Sequence, residues 1–259
     1  MGKARFNLDD YGSPAVKVTP HLEDGKEDAE IEVEVSLTGV SGEEILTYRI
    51  LDGEKQPVAT AEAKVANPHI TLHIPQVHRW HGRKDPYLYT LQVSLSEGSQ
   101  VLDERTLRFG CRTFAINPEK GFLLNGESYP LRGASRHQDR PHKGNALSPA
   151  DHEEDMDLIC EMGANTVRLA HYQHDQYFYG LCDERGMIVW AEIPYISGHL
   201  EKGEANTISQ MKELILQNYN HPSIVVWGLS NEITMQGAAA PGLLENHRKL
   251  NDLCHEMDP

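Results

Sequence analysis

The sequence predicts a two-part chain, an antiparallel β-sandwich followed by β/α units of a parallel sheet. Three observations carry this prediction. From Ala15 to about Ile116, apolar residues recur with a period of two between turn clusters. After Leu131, short apolar runs alternate with segments of helical spacing. The run from Ile224 to Leu229 is apolar, mostly β-branched or aromatic with one glycine, as suits a parallel strand buried on both faces.

Residues 1–13, ending in ARFNLDDYGS, are polar and lack a core pattern, so they read as a connector. In the first half, Ile31, Val33, Val35 and Leu37 alternate with Glu30, Glu32, Glu34 and Ser36. Ile70, Leu72 and Ile74 alternate with Thr71 and His73, and Tyr89, Leu91, Val93 and Leu95 alternate with Leu88, Thr90, Gln92 and Ser94. Leu102–Phe109 and Cys111–Ile116 supply two more segments. Turn pairs such as Asp52-Gly53 and Glu97-Gly98 separate such short strands, giving a sandwich of roughly 100 residues. Trp80 is either a core or edge aromatic or a ligand platform. Asn125-Gly126, inside FLLNGESYPL, is a hairpin signal at the junction of the two halves.

The second half opens with a short strand at Leu131–Ser135. Ser148-Pro149-Ala150-Asp151 combines an N-cap serine, proline at N1 and an acidic N3, so a helix begins there. Its face is His152, Met156, Ile159 and Cys160, and Gly163 ends it. Strands at Thr166–Ala170, Met187–Ala191 and Ile224–Leu229 follow. Between and after them lie a helix near Asp175–Glu184, one carrying Ile208, Met211, Leu214 and Ile215, and one carrying Leu243, His247, Leu250 and Cys254. A full barrel takes about 250 residues, and only about 130 follow Leu131, so a barrel here would be half a barrel with two open sheet edges.

A formal net charge of −15 over 259 residues argues against phosphate-backbone binding. No apolar run approaches the roughly 20 residues that span a bilayer, and MGKARFNLDDYG has no apolar secretory core. Cys111, Cys160, Cys182 and Cys254 are widely spaced and read as reduced thiols of a cytoplasmic protein, with two disulfides as the alternative.

Polar groups gather where the second-half strands end. The first strand is followed by Arg136, His137 and Asp139. Arg168, His171 and Tyr172 belong to the second, Glu192 and Tyr195 to the third, and Asn231 and Glu232 to the fourth. In a parallel sheet these converge on one mouth, and their mixture of donors and acceptors suits a polyhydroxylated ligand. Glu232, if set against apolar walls, would lose solvation and become a general acid near neutral pH. The bland readings are that Glu232 caps a helix, His137 caps a loop, His171 is a satisfied core histidine and Arg168 pairs with a buried carboxylate such as Glu192. His171 and His174 with Asp175, and His137 and His142 around Asp139, match no zinc pattern, and no GxSxG or GxGxxG occurs.

Four blocks carry a resemblance: Phe109-Gly110-Cys111-Arg112, FLLNGESYPLRGASRHQD, NTVRLAHYQHDQYFYGLCDERGMIVWAEIPYI and NHPSIVVWGLSNE. The sequence resembles glycoside hydrolase family 2, and within it the β-galactosidases. The resemblance implies an immunoglobulin-like sandwich at 14–117 and the first four units of a TIM (β/α)8 barrel at 118–259, with 1–13 trailing a jelly-roll domain. It implies a retaining glycoside hydrolase acting on terminal β-D-galactosides, with Glu232 as acid/base. Asn231, His137, His171 and Arg168 are its implied substrate-binding residues, and the nucleophile lies beyond Pro259. Magnesium-dependent members carry a Glu and a His just after the third strand. Here EIPYISGHL places Glu192 too early and His199 out of step, so neither a metal nor another cofactor is expected. The β-glucuronidases and β-mannosidases of the family share the framework and are the alternatives, as is a non-catalytic carbohydrate-binding module. The expected partner is a β-galactoside or oligosaccharide, with homo-oligomers left open and nucleic acid and membrane excluded. This chain alone is expected to be inactive.

Overall fold

The computed structural model describes residues 4–23, 26–235 and 240–259. They fall into two compact units, Met1–Tyr129 with Tyr219–Pro222, and Pro130–Asn218 with Ser223–Pro259.

The first unit is the immunoglobulin-like sandwich. Its strands are β1 (Arg5–Phe6), β2 (Val16–Leu22), β3 (Ala29–Val35), β4 (Leu37–Thr38), β5 (Ile45–Leu51), β6 (Pro57–Lys64), β7 (His69–Ile74), β8 (Tyr89–Glu97) and β9 (Gln100–Phe109). One sheet has the order β2-β3-β7 and the other β6-β5-β8-β9, all antiparallel, with β1 paired to β4. Alternation sets the core: Ile31, Val33, Leu46, Tyr48, Ile50, Leu91, Val93 and Leu95 are buried in one cluster. Leu37 does not continue β3 as its periodicity suggests; it lies in β4. Trp80 is fully buried, so it packs in the interior and is no ligand platform.

The hairpin signal is met by β10 (Phe114–Asn117), β11 (Gly121–Leu124) and β12 (Glu127–Ser128), with Leu124 opposite Glu127 across a two-residue turn. Asn125 and Gly126 take φ of 52° and 80°, the left-handed pair that such a turn requires. Tyr219–Pro222 is part of this unit because Asn220 accepts from Val18 N–H and donates to Val16 C=O, both at 2.8 Å.

The second unit is the parallel half. Strands β13 (Gly133–Arg136), β14 (Thr166–Leu169), β15 (Ile188–Glu192) and β16 (Ile224–Gly228) lie side by side in chain order. Helices α1 (Pro149–Glu161), α2 (Gln176–Arg185), α3 (Glu204–Asn218) and α4 (Leu243–Met257) alternate with them. The caps follow from sequence. The Asp151 carboxylate accepts from both the N–H and hydroxyl of Ser148, Asp175 accepts from Tyr177 N–H, and Gly186 ends α2 at φ 69°. Met156, Met211, Leu214, Ile215 and Leu250 bury the helix stripes.

Two expectations need correction. Strand β16 is not buried on both faces, because Val225, Val226 and Trp227 are only half-buried. Among the described residues it is an edge strand, with β15 as its one paired neighbour. Arg136 does not join the strand-end mouth. It pairs in register with Leu169, whose side chain is buried, and strand parity sends both to the helix side. There its guanidinium donates to Asp155 (2.6 and 2.9 Å), His174 Nδ1 (3.1 Å) and His152 Nδ1 (3.0 Å), and lies over Phe178. Both imidazoles accept, so both are neutral.

Burial pushes His174 down to about 3, reinforced by the Arg136 charge and opposed by its bond to Ala170 C=O. Its folded pKa lies below the unfolded value, so it stabilises the fold above about pH 6.5. That contribution is lost as pH falls toward 3, by about 1.4 kcal/mol per unit of separation. We expect the urea midpoint to drop between pH 7 and pH 4 and the drop to shrink in His174→Gln. Parallel pH profiles for the two proteins would exclude this source.

Candidate active site

The site is built by parity and strand order. Arg168 pairs in register with Trp190, so both project from the sheet face opposite Leu169 and Ala191. That face is open, and Trp190 is 44% exposed. Glu192 closes β15 on the same parity as Trp190 but is only 1% exposed. A carboxylate so buried needs a cation and donors. Arg168 supplies both, its Nε bonding Glu192 Oε1.

The rest of the constellation grows from this pair. Arg168 Nη2 donates to Asn231 Oδ1 at 2.8 Å. His171 Nδ1 lies 3.1 Å from Glu192 Oε2 and 3.1 Å from Arg168 Nη2. That nitrogen donates to the carboxylate or accepts from the guanidinium, and the choice decides whether a neutral ring offers Nε2 to a ligand as acceptor or donor. The Ala170–His171 peptide is cis. The His137 ring meets His171 edge-on at 5.0 Å and tilts against Tyr172 at 6.1 Å. Gln138 N–H donates to the Tyr172 hydroxyl. The loop after β16 is tied to the loop after β15, with Asn231 N–H donating to Tyr195 C=O and Ser197 N–H to Asn231 C=O.

Arg168, His171, Asn231 and His137 are therefore linked through contacts at the carboxyl ends of three adjacent strands and the loop after β16. Glu232 directly follows Asn231. It is exposed, so the apolar walls foreseen around it are missing among the described residues. His174 is separated from His171 by its burial beside Arg136, and Asp175 is spent as a helix cap. No group of three His, Cys, Asp or Glu among the described residues is arranged to hold a metal ion. The sequence placed Glu192 at the mouth and as a partner of Arg168, but gave it no substrate-binding or catalytic role. The signal was there, since IVWAE ends an apolar strand on a carboxylate.

Gly228 is opposite Glu192 in register, and an added Cβ would collide with Trp190 Nε1 and come within 2.6 Å of Glu192 Cγ. Gly228→Ala must therefore displace both the Trp190 indole and the Glu192 side chain that holds Arg168. We expect a loss of about 1–3 kcal/mol in urea unfolding. A neutral effect would mean that the β15–β16 pair yields freely.

Polar side chains collected at the carboxyl ends of parallel strands have the layout of a barrel-enzyme site. The comparisons agree with that class. Residues 14–112 match the glycosyl hydrolases family 2 model, and residues 115–259 match the model of that family's TIM barrel domain. The chain belongs to glycosyl hydrolase family 2. It is 37% identical to a beta-glucuronidase of Bacteroides fragilis, over 96% of this chain and 38% of that protein. It is 30% identical to a beta-galactosidase of Thermoanaerobacter pseudethanolicus, over 91% of this chain and 32% of that protein. Among solved structures it resembles an FMN-binding beta-glucuronidase from Facaelibacterium prausnitzii L2-6, with TM-score 0.95 and 43% identity over 99% of this chain and 40% of that one. The chain thus spans well under half the length of these relatives.

Proposed function

We propose that the polypeptide carrying this chain is a retaining β-glycosidase for terminal β-D-glucuronides. Carrying the reading is the Arg168–Glu192–His171–Asn231 cluster, set directly before Glu232 at the strand ends. In it, Glu232 protonates the glycosidic oxygen and later deprotonates the incoming water. Asn231 and His171 take sugar hydroxyls, Arg168 holds Asn231 in place, and His137 walls the subsite. Residues 1–13 are a connector, 14–117 the sandwich and 118–259 the first four β/α units. No cofactor enters the reaction, and the wide spacing of the four cysteines favours a cytoplasmic setting.

The choice of glucuronide is supported by the names of relatives that share 37% and 43% identity with the chain. A terminal β-D-galactoside is the second reading, supported by the sequence resemblance and by the relative that is 30% identical. The test uses p-nitrophenyl β-D-glucuronide and p-nitrophenyl β-D-galactoside with the chain extended to the length of its relatives. Preference for the glucuronide in kcat/KM supports the first reading, and the opposite preference the second. Cleavage of neither rejects both.

A further inference from the structure

Glu232 has φ 49°, a left-handed conformation that a residue with a side chain keeps only when its surroundings hold it. Ser197, in the loop tied to it, is also left-handed at φ 63°. Two of the holding contacts belong to the site already described: Arg168 grips the Asn231 side chain, and the Asn231 backbone is bonded to Tyr195 and Ser197. A third comes from outside it. Ser230 Oγ lies 2.8 Å from His247 Nε2, on the second turn of α4. His247 Nδ1 lies 3.0 Å from Leu243 C=O, which can only accept. Nδ1 therefore carries a proton, and in the neutral ring Nε2 accepts from the Ser230 hydroxyl. The same ring packs on Tyr195 at 5.5 Å, and the Tyr195 carbonyl takes the Asn231 N–H. So one imidazole braces both loops that meet at Asn231.

We propose that His247 is a positioning residue for Glu232. Through Ser230 and Tyr195 it fixes the Ser230–Asn231–Glu232 segment, so that the carboxyl meets the glycosidic oxygen in the geometry proton transfer needs. This rests on the reading of Glu232 as acid/base. Its chemical signature follows from that role. Kcat/KM reports the step in which the leaving group departs. An alkoxide leaving group needs the proton, whereas dinitrophenolate departs without it. A misplaced acid therefore slows alkyl glycosides and spares dinitrophenyl glycosides.

The experiment compares Ser230→Ala, His247→Ala and His247→Gln in the chain extended to the length of its relatives. Glutamine places an amide oxygen near the position of Nε2 and keeps the acceptor. Ser230→Ala removes a single oxygen, so it tests the bond even if His247→Ala folds poorly. We expect kcat/KM for an alkyl glycoside to fall about tenfold or more in both alanine variants, to change less than about twofold for the dinitrophenyl glycoside, and to recover in His247→Gln. Equal losses on both substrates, or none on either, overturn the positioning role while leaving the glycosidase reading intact. A parent protein that cleaves neither substrate defeats both. A second readout needs no catalysis. In the 259-residue chain, hydrogen exchange at the Asn231 and Ser197 amides should quicken in the alanine variants and return to the parent rate in His247→Gln. Unchanged exchange counts against the brace.

Discussion

Glu232→Ala in the length-extended chain is expected to lower kcat/KM toward alkyl glycosides by about 10²–10⁴-fold, the usual contribution of a positioned general acid. Activated aryl glycosides should lose far less in kcat/KM, because their leaving groups need no proton. Their kcat should still fall, since the same carboxylate must later act as base toward water. That split separates an acid/base from a residue that merely supports the fold. The structure supports the assignment by position: Glu232 follows Asn231, which Arg168 and two backbone bonds hold at the strand ends. Activity toward alkyl glycosides that survives the substitution would transfer the role to another carboxylate.

Much of this arrangement was legible before any coordinates. Period-two alternation marked β3, β7 and β8, and Asn125-Gly126 marked the β11–β12 hairpin. Ser148, Asp151 and Gly186 bounded their helices. The pairing of Arg168 with Glu192 also followed, because a buried acid beside a strand arginine has few other partners. Other features were hidden for identifiable reasons. Strand β6 is an edge strand of small and polar residues, PVATAEAK, with little burial to impose a pattern. Arg136 was assigned to the mouth because its place after a strand was read without its parity; one residue of offset sends it to the helices. The brace between Ser230 and His247 joins residues seventeen apart through a helix face, and no local pattern announces it. The sugar itself is the least legible feature, since relatives named for either sugar match the same stretch of the chain.

Arg168→Met is expected to be the most destabilising of these substitutions, at about 3–5 kcal/mol in urea unfolding of the parallel half. The reason is an asymmetry of burial. Glu192 is 1% exposed and Arg168 about a third exposed. Removing the arginine strands a charge that water cannot reach, with His171 alone among the described residues left to answer it. Removing the acid instead, as Glu192→Gln, leaves a guanidinium that can turn toward solvent while still holding Asn231. Glu192→Gln should therefore cost distinctly less. The double variant Arg168→Met with Glu192→Met should recover most of the loss, because the uncompensated charge is gone. A cost for Arg168→Met below about 1 kcal/mol would class the pair with surface salt bridges. The cluster would then have no rigid floor, and the fixed placement of Asn231 beside Glu232 would need another cause.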